Sequence, residues 1–357
     1  DFRNILNFEK DYPKAKVVKL EQNYRSSQNI LSAAHEIISK NIERKEKTLW
    51  TENPAGAMLE VIEVNNERAE AEFILEKIAD LNKTGMGLDK IVIMYRTNAQ
   101  SRVLEEACLY ANLPYRVVGA VKFYQRKEIK DVLAYLRFIQ NQDDEMSLKR
   151  ITGILGKRLL QSFIADFLDF RKQIEGLPPH ELIKSVIKKT NYYNYLEKKF
   201  PDFSPDGELE SESRIKNIKE LIGLASIHDN LSGFLTEVTL MQQERDTDNS
   251  KKLNLMTLHS AKGLEFDAVF IAGAEENLMP HSRAAYSLEE LEEERRLCYV
   301  GMTRAKKHLW LLFAKQRFLW GERKETVPSR FIMELPQHLV NFRSLADGYN
   351  LPEVELD

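Results

Sequence analysis

The stretch from Leu253 to Gly273 reads LNLMTLHSAKGLEFDAVFIAG. Leu253, Leu255, Met256 and Leu258 form one apolar run, and Val269, Phe270 and Ile271 form another. Between them stand Thr257, His259, Ser260, Lys262, Gly263 and Glu265. A hydroxyl, an imidazole, an ammonium and a carboxylate at the end of a strand suit phosphate and ribose recognition, because open α/β sheets bind ligands at the carboxyl ends of their strands. Gly263 permits a left-handed turn there. A polar loop with a helix-capping serine explains the same residues equally well. Three further sites carry comparable chemistry. Arg25, in LEQNYRSS, lies between the strand-like Lys16–Leu20 and a helix that starts with Ser26 or Ser27 as its cap. A guanidinium is always charged and forks onto phosphate oxygens, although a lone surface arginine commonly pairs with a carboxylate. Tyr95, Arg96 and Asn98 lie at the end of the apolar run KIVIMY. An arginine and an asparagine can hold a nucleic-acid backbone and a tyrosine can stack on a base, while a polar helix start accounts for Asn98 as well. Arg304 follows an acidic helix and precedes the strand His308–Phe313.

The elements that must position these residues alternate. Leu59–Val64, Lys90–Tyr95 and Tyr115–Val118 read as strands. Glu67–Leu81 reads as a helix, and so does a segment marked by Val103, Leu104, Ala107 and Tyr110. Such alternation predicts an α/β fold with right-handed crossovers. Phe123–Asp131 opens a long helix through Ile139, and from Asn141 to about Lys252 helical patterns dominate. They cover Leu159–Ile174, Glu181–Lys199, Ser213–Ile227 and Phe234–Gln243, punctuated by Pro178, Pro179, Pro201 and Pro205. The acidic GELESES run from Gly207 reads as a solvated connector. Lys184, Lys188, Lys189, Lys198 and Lys199, interleaved with Tyr192, Tyr193 and Tyr195, make either a duplex-binding patch or the outer face of an amphipathic helix. The sheet pattern resumes after Lys252.

Bulk properties narrow the classes. The 357 residues suffice for two domains, and 43% hydrophobic with 30% charged residues fits a globular protein. The net charge of −3 carries no global nucleic-acid signature, so such binding needs a local patch. No apolar run approaches a membrane span of about 20 residues, and DFRNILNFEK lacks the features of a signal peptide. The start, without an initiator Met and in mid-pattern, reads as that of a fragment. Two distant cysteines, Cys108 and Cys298, point away from a zinc cluster or disulfide scaffold and toward a reducing cytoplasm. Ser287 and Glu290 form a capping box, which assigns the acids from Glu289 to Glu294 to the first turns of a helix and not to a metal. Arg295 and Arg296 read as helix-surface or interdomain pairs. Gly153–Lys157 (GILGK) fails as a phosphate loop, having two residues between its glycines and Arg158 after the lysine. No GxxxxGK[ST] occurs, and no apolar strand ends in paired acids, both of which ATP hydrolysis requires.

Leu253–Gly273 and Glu292–Leu312 (EEERRLCYVGMTRAKKHLWLL) resemble motifs V and VI of superfamily 1 DNA helicases of the UvrD/PcrA/Rep group. LEQNYRSS resembles motif IV, MYRTNAQSR resembles motif IVa, and PSRF at Pro328 resembles the closing segment. The four motifs stand in the family's order. The resemblance implies a RecA-like motor domain, 2A, over 1–127 and 253–346. It is interrupted by an inserted all-helical domain, 2B, over 128–252, and followed by a tail over 347–357. It implies an ATP-dependent 3′→5′ DNA helicase acting in repair or replication. Arg25 and Arg304 would meet the γ-phosphate, Glu265 the ATP ribose, and Tyr95, Arg96, Asn98, Thr257 and His259 single-stranded DNA. ATP and Mg²⁺ would be held mainly by the N-terminal motor domain, which supplies the Walker A and B motifs and without which this chain is inactive. The implied partners are that domain, single-stranded DNA and ss/ds DNA junctions, with no membrane. The family's Pro- and Gly-containing stretch soon after Ile151 has no counterpart, since LKRIT runs straight into GILGKR. Two other readings are a non-catalytic nucleic-acid-binding module lacking an ATPase half and the motor part of a helicase-nuclease.

Overall fold

The computed structural model describes residues 8, 11–42, 44, 49–203, 209–242, 251–319 and 322–346. The tail from Asp347, most of the DFRNILNFEK start, the beginning of the GELESES run and Gln243 lie outside them. In chain order the elements are α1 (Gln28–Ser39), β1 (Leu59–Val64), α2 (Glu67–Lys83), β2 (Ile91–Tyr95), α3 (Ser101–Tyr110), β3 (Tyr115–Val118) and α4 (Lys127–Gln140). There follow α5 (Glu145–Ala165), α6 (Phe167–Ile174), α7 (Pro179–Thr190), α8 (Tyr192–Lys199), α9 (Glu210–Ala225) and α10 (Leu231–Gln242). Last come β4 (Leu253–Thr257), β5 (Phe266–Ile271), α11 (Leu288–Met302), β6 (Ala305–Ala314), β7 (Gln316–Leu319), β8 (Glu322–Glu325), α12 (Arg330–Met333) and β9 (Val340–Ser344). Two units result: one of residues 1–96, 253–315 and 326–357, the other of 97–252 and 316–325.

In the first unit six strands lie in the order β4-β2-β5-β6-β1-β9, and each neighbouring pair is parallel. Parallel strands are covered on both faces, which is why β2 is apolar throughout and buried at all five positions. The one polar residue inside β4, Asn254, is fully buried and satisfied, its Nδ2 donating to the carbonyls of Ile91 (3.0 Å) and Asp89 (3.2 Å). The strand expected over Lys16–Leu20 does not form. Val17, Val18 and Leu20 are 49%, 68% and 78% exposed, and among the described residues nearby strand pairing is limited to an isolated bridge between Gln22 and Trp50. Strand preference reflects packing against neighbours, and this run has none in the sheet. The helix after it starts at Gln28, but neither expected serine caps it by side chain. Ser27 stands at the N-cap without such a bond, and Ser26 Oγ donates to Ala305 O at 2.7 Å.

The second unit begins at Thr97, earlier than residue 128, and includes the β7–β8 hairpin. Buried ion pairs explain why α3 belongs with the helices. Arg102 pairs with Glu106 of its own helix (2.9 Å) and Glu220 of α9 (3.3 Å). Arg126 donates to Ser101 Oγ (2.7 Å) and Asn217 Oδ1 (2.8 Å). The central helix α4 buries Val132, Leu133, Tyr135, Leu136 and Phe138 among aromatic residues of α5 and α6. Its Asp131 accepts from Lys127 (2.6 Å), Arg150 (2.6 Å) and Tyr192 (2.7 Å). Two helical readings are divided by the backbone. Glu181–Lys199 breaks at Asn191, which is left-handed at φ 49°, and the helix through Gly153–Lys157 kinks at Gly156, φ 73°. In the basic-aromatic run, Tyr192 is a core residue stacked on Tyr195, while Lys184 and Lys189 pair with Glu181 and Asp166. That is the outer face of an amphipathic helix.

Candidate nucleotide and nucleic-acid sites

Parallel pairing splits the Thr257–Glu265 loop between two edges of the sheet. Thr257 ends β4 and pairs in register with Tyr95, the last residue of β2, at the carboxyl edge. Glu265 precedes β5, whose first residue, Phe266, pairs with Ala305, the first of β6, at the amino edge. Six residues of β5 separate the edges by roughly 17 Å. The loop therefore does not form a single cluster at a strand's carboxyl end: its hydroxyl and imidazole stand at one edge and its carboxylate at the other.

The amino edge gathers charge from distant parts of the chain. Asn23 Oδ1 accepts from the backbone N–H groups of Arg25 (2.8 Å) and Ser26 (3.0 Å), a turn that aims Arg25. Ser26 Oγ on Ala305 O and Ser27 N–H on Lys306 O (3.0 Å) fasten that turn to the start of β6. Arg25 Nε then donates to Glu265 Oε2 at 2.8 Å, and its Nη1 to Thr303 O at 3.3 Å. Lys306 Nζ lies 2.6 Å from the other carboxylate oxygen of Glu265. Lys306 and Arg25 together hold the Glu265 carboxyl at about 2, well below the usual carboxylate value. The sequence reading missed Lys306. Its signal was its place two residues after Arg304, at the start of the strand that Arg304 precedes.

Arg304 caps the end of α11. Its Nε donates to Val300 O (3.0 Å), Nη1 to Leu264 O (3.2 Å) and Nη2 to Thr303 Oγ1 (3.4 Å). Burial lowers its pKa and the neighbouring Arg25 guanidinium lowers it further. Gly301 sets how closely α11 approaches the loop, because a Cβ there would lie 2.4 Å from Leu258 Cδ2. Two cations, Arg25 and Lys306, thus hold one carboxylate, and Arg304 stands near enough to feel the charges of Arg25 and Glu265. Each arginine has five N–H donors and spends two or three here, so donors and surplus positive charge remain for a polyphosphate. Those residues fit a nucleotide triphosphate. Among the described residues no group of three or more His, Cys, Asp or Glu side chains could hold a metal ion.

At the carboxyl edge the expected contacts are mostly turned inward. Tyr95 is fully buried, so its ring cannot stack on a base in this conformation. Arg96 is 7% exposed and clasps Glu294 of α11 at 2.7, 3.0 and 3.1 Å. Thr257 is buried, and its Oγ1 lies 3.0 Å from Ser260 Oγ and accepts the Ser260 N–H at 3.3 Å. His259, in the short turn that follows, is half-buried. Asn98 belongs to the second unit, half-buried, with its backbone carbonyl accepting from Arg126 at 3.0 Å. The acidic run of α11 is likewise engaged. Glu292 accepts the Ile42 N–H (2.6 Å) and pairs with Arg296 (3.1 Å). Arg295, expected as a helix-surface or interdomain pair, is buried against Glu334 and Ile37 O because it faces inward on α11.

A family model described as the UvrD-like helicase C-terminal domain matches residues 18–316. The ATP-dependent DNA helicase PcrA of Staphylococcus aureus strain Mu50 is 40% identical over 392 residues, covering 96% of this chain and 53% of that protein. PcrA of Staphylococcus epidermidis strain RP62A is 39% identical over 389 residues, covering 96% and 52%. The chain spans about half the length of the curated relatives it matches. The 392 aligned positions exceed the 357 residues here, so that relative carries residues with no counterpart in this chain. Among solved structures, the C-terminal domain of a possible DNA helicase from Lactobacillus plantarum WCFS1 gives a TM-score of 0.39 at 13% identity, covering 90% of this chain and 98% of that one. No described helix is long and apolar enough to cross a membrane. By the extent of the family match and the identity to two PcrA proteins, this chain belongs to the UvrD-like helicase C-terminal domain family.

Proposed function

We propose that the chain works as the C-terminal motor segment of a PcrA-like ATP-dependent 3′→5′ DNA helicase in the cytoplasm. The observation that carries this is the meeting of Arg25, Glu265 and Arg304, separated by up to 279 residues in sequence, at one edge of the sheet. Bound between this domain and a phosphate-loop half that holds Mg²⁺, ATP supplies the γ-phosphate and the free energy of its transfer. Arg25 and Arg304 bind and orient the γ-phosphate, stabilising the charge that develops on it. Glu265 accepts a ribose hydroxyl. Tyr24, 79% exposed beside Arg25, offers a flat face to the nucleobase. His259 holds the single strand, and Arg96 and Thr257 shape the carboxyl edge from beneath. Because the arginines engage only when the γ-phosphate is present, closure of the two motor domains follows the nucleotide and moves the DNA grip along the strand.

The test is ATP hydrolysis with and without single-stranded DNA, on this chain alone and mixed with the separately folded phosphate-loop half. DNA-stimulated turnover in the mixture and none in the chain alone is the expected result. Turnover by the chain alone overturns the assignment of the phosphate loop to the other half, and a silent mixture of two folded halves overturns the helicase proposal.

A further inference from the structure

We infer that Lys306 is a positioning residue for nucleotide recognition, clamping Glu265 in place for the ribose when Arg25 leaves it for the γ-phosphate. This rests on the ribose reading of Glu265 and goes beyond it by adding a residue to which the motif resemblance gave no role. The geometry is a carboxylate shared by two cations, with Arg25 Nε on Oε2 at 2.8 Å and Lys306 Nζ on Oε1 at 2.6 Å. Arg25 cannot keep that bond at full strength and also turn its fork onto a phosphate. Once it leaves, a carboxylate 45% exposed would spread over its rotamers and repel the incoming polyphosphate, unless a second cation held it. Lys306 answers both needs. Its backbone is pinned, since Lys306 O accepts the Ser27 N–H at 3.0 Å. Its ammonium is a compact point charge that occupies one oxygen and leaves Oε2 open for a hydroxyl donor.

Lys307 provides a built-in control. It is the next residue of β6 and pairs with a different carboxylate, Asp267, at 3.1 Å. Lys306→Met and Lys307→Met therefore remove the same charge from adjacent positions, only one of which touches Glu265.

The experiment is steady-state, DNA-stimulated ATPase of the helicase assembled with its phosphate-loop half, using ATP and its 2′- and 3′-deoxy analogues. K306M should raise KM for ATP about tenfold, the loss of roughly one charge-assisted hydrogen bond, with kcat within about twofold. It should also shrink the preference for ATP over the deoxy analogue that Glu265→Gln loses. Lys306→Arg should restore most of that preference, and K307M should behave as wild type. Carboxyl NMR of this chain supplies a readout free of nucleotide, in which K306M should raise the Glu265 midpoint by about one unit. A K306M enzyme with unchanged KM and unchanged ribose preference, while E265Q loses both, overturns the role of Lys306 and leaves the ribose reading standing. If E265Q also leaves both unchanged, the ribose reading falls and takes this inference with it.

Discussion

Arg96 separates a structural from a DNA-binding account, and Arg96→Ala tests which applies. Its guanidinium makes three hydrogen bonds to Glu294, and both side chains are 9% exposed. Truncation leaves the Glu294 carboxylate buried, with the His281 N–H at 3.0 Å still donating to it. Removing one partner of a buried pair costs about 3–5 kcal/mol, against a typical total stability of roughly 5–15 kcal/mol. Replacing both partners by apolar residues, Arg96→Met with Glu294→Met, is close to neutral by the same physics, because no charge is left stranded. Urea denaturation of wild type, Arg96→Ala, Glu294→Met and the Arg96→Met, Glu294→Met double variant at neutral pH compares the four stabilities, and single-strand affinity against salt is measured on the same samples. The expected result is a large loss in each single variant, substantial recovery in the double, and an unchanged salt slope for the folded fraction. A loss below about 1 kcal/mol in R96A, together with a salt slope lower by about one phosphate contact, would refute the clamp and return Arg96 to the DNA.

Four other outcomes are expected. In the complete enzyme, Arg304→Ala should lower DNA-stimulated turnover by about 10³-fold or more while nucleotide binding changes much less, and wild-type turnover removes Arg304 from the chemistry. His259→Ala should weaken single-strand binding and lower its salt slope, whereas unchanged affinity and slope make it a structural histidine. Gly301→Ala should destabilise the first unit by about 1–3 kcal/mol, because Leu258, whose Cδ2 would lie 2.4 Å from the new Cβ, is fully buried; an unchanged urea midpoint contradicts that packing. Burial pushes the Cys298 thiol up to about 12 and raises that of Cys108, so neither should react with a thiol reagent at pH 8 until the protein unfolds. Fast labelling of the native chain contradicts both burials.

Much of the architecture was readable where local pattern and tertiary packing agree. The run IVIMY forms a strand because a doubly covered parallel sheet demands apolar residues on both faces, and LEVIEV joins it by burying Leu59, Val61, Ile62 and Val64 while Glu60 and Glu63 stay half-buried. KVVKL shows the limit of that reasoning, since its composition suits a strand but no sheet position receives it. The helical breaks at Asn191 and Gly156 were partly visible as residue types that tolerate positive φ, but their location depends on packing that periodicity does not encode. The partners of charged residues were the least readable. Arg96 and Glu294 stand 198 positions apart, and nothing local distinguishes Glu294 from the exposed acids around it.

The nucleotide edge is more informative, because one tertiary fact accounts for its assembly. Strands β5 and β6 are parallel neighbours with Phe266 opposite Ala305, and the Phe266 N–H donates to Arg304 O at 2.9 Å. The residues just before each strand, Glu265 and Arg304, must then stand side by side. Arg25 joins them because Ser26 and Ser27 bond to the first two carbonyls of β6. Lys306 joins them as the second residue of β6, the residue whose carbonyl accepts the Ser27 N–H. Residue types name the chemistry, but strand order decides which residues share it. The Thr257–Glu265 loop makes the point in reverse: eight residues apart in sequence, its two ends serve opposite edges of the sheet. A substitution that slipped β5 against β6 by one residue would therefore separate Glu265 from both arginines and from Lys306 without touching any of the four.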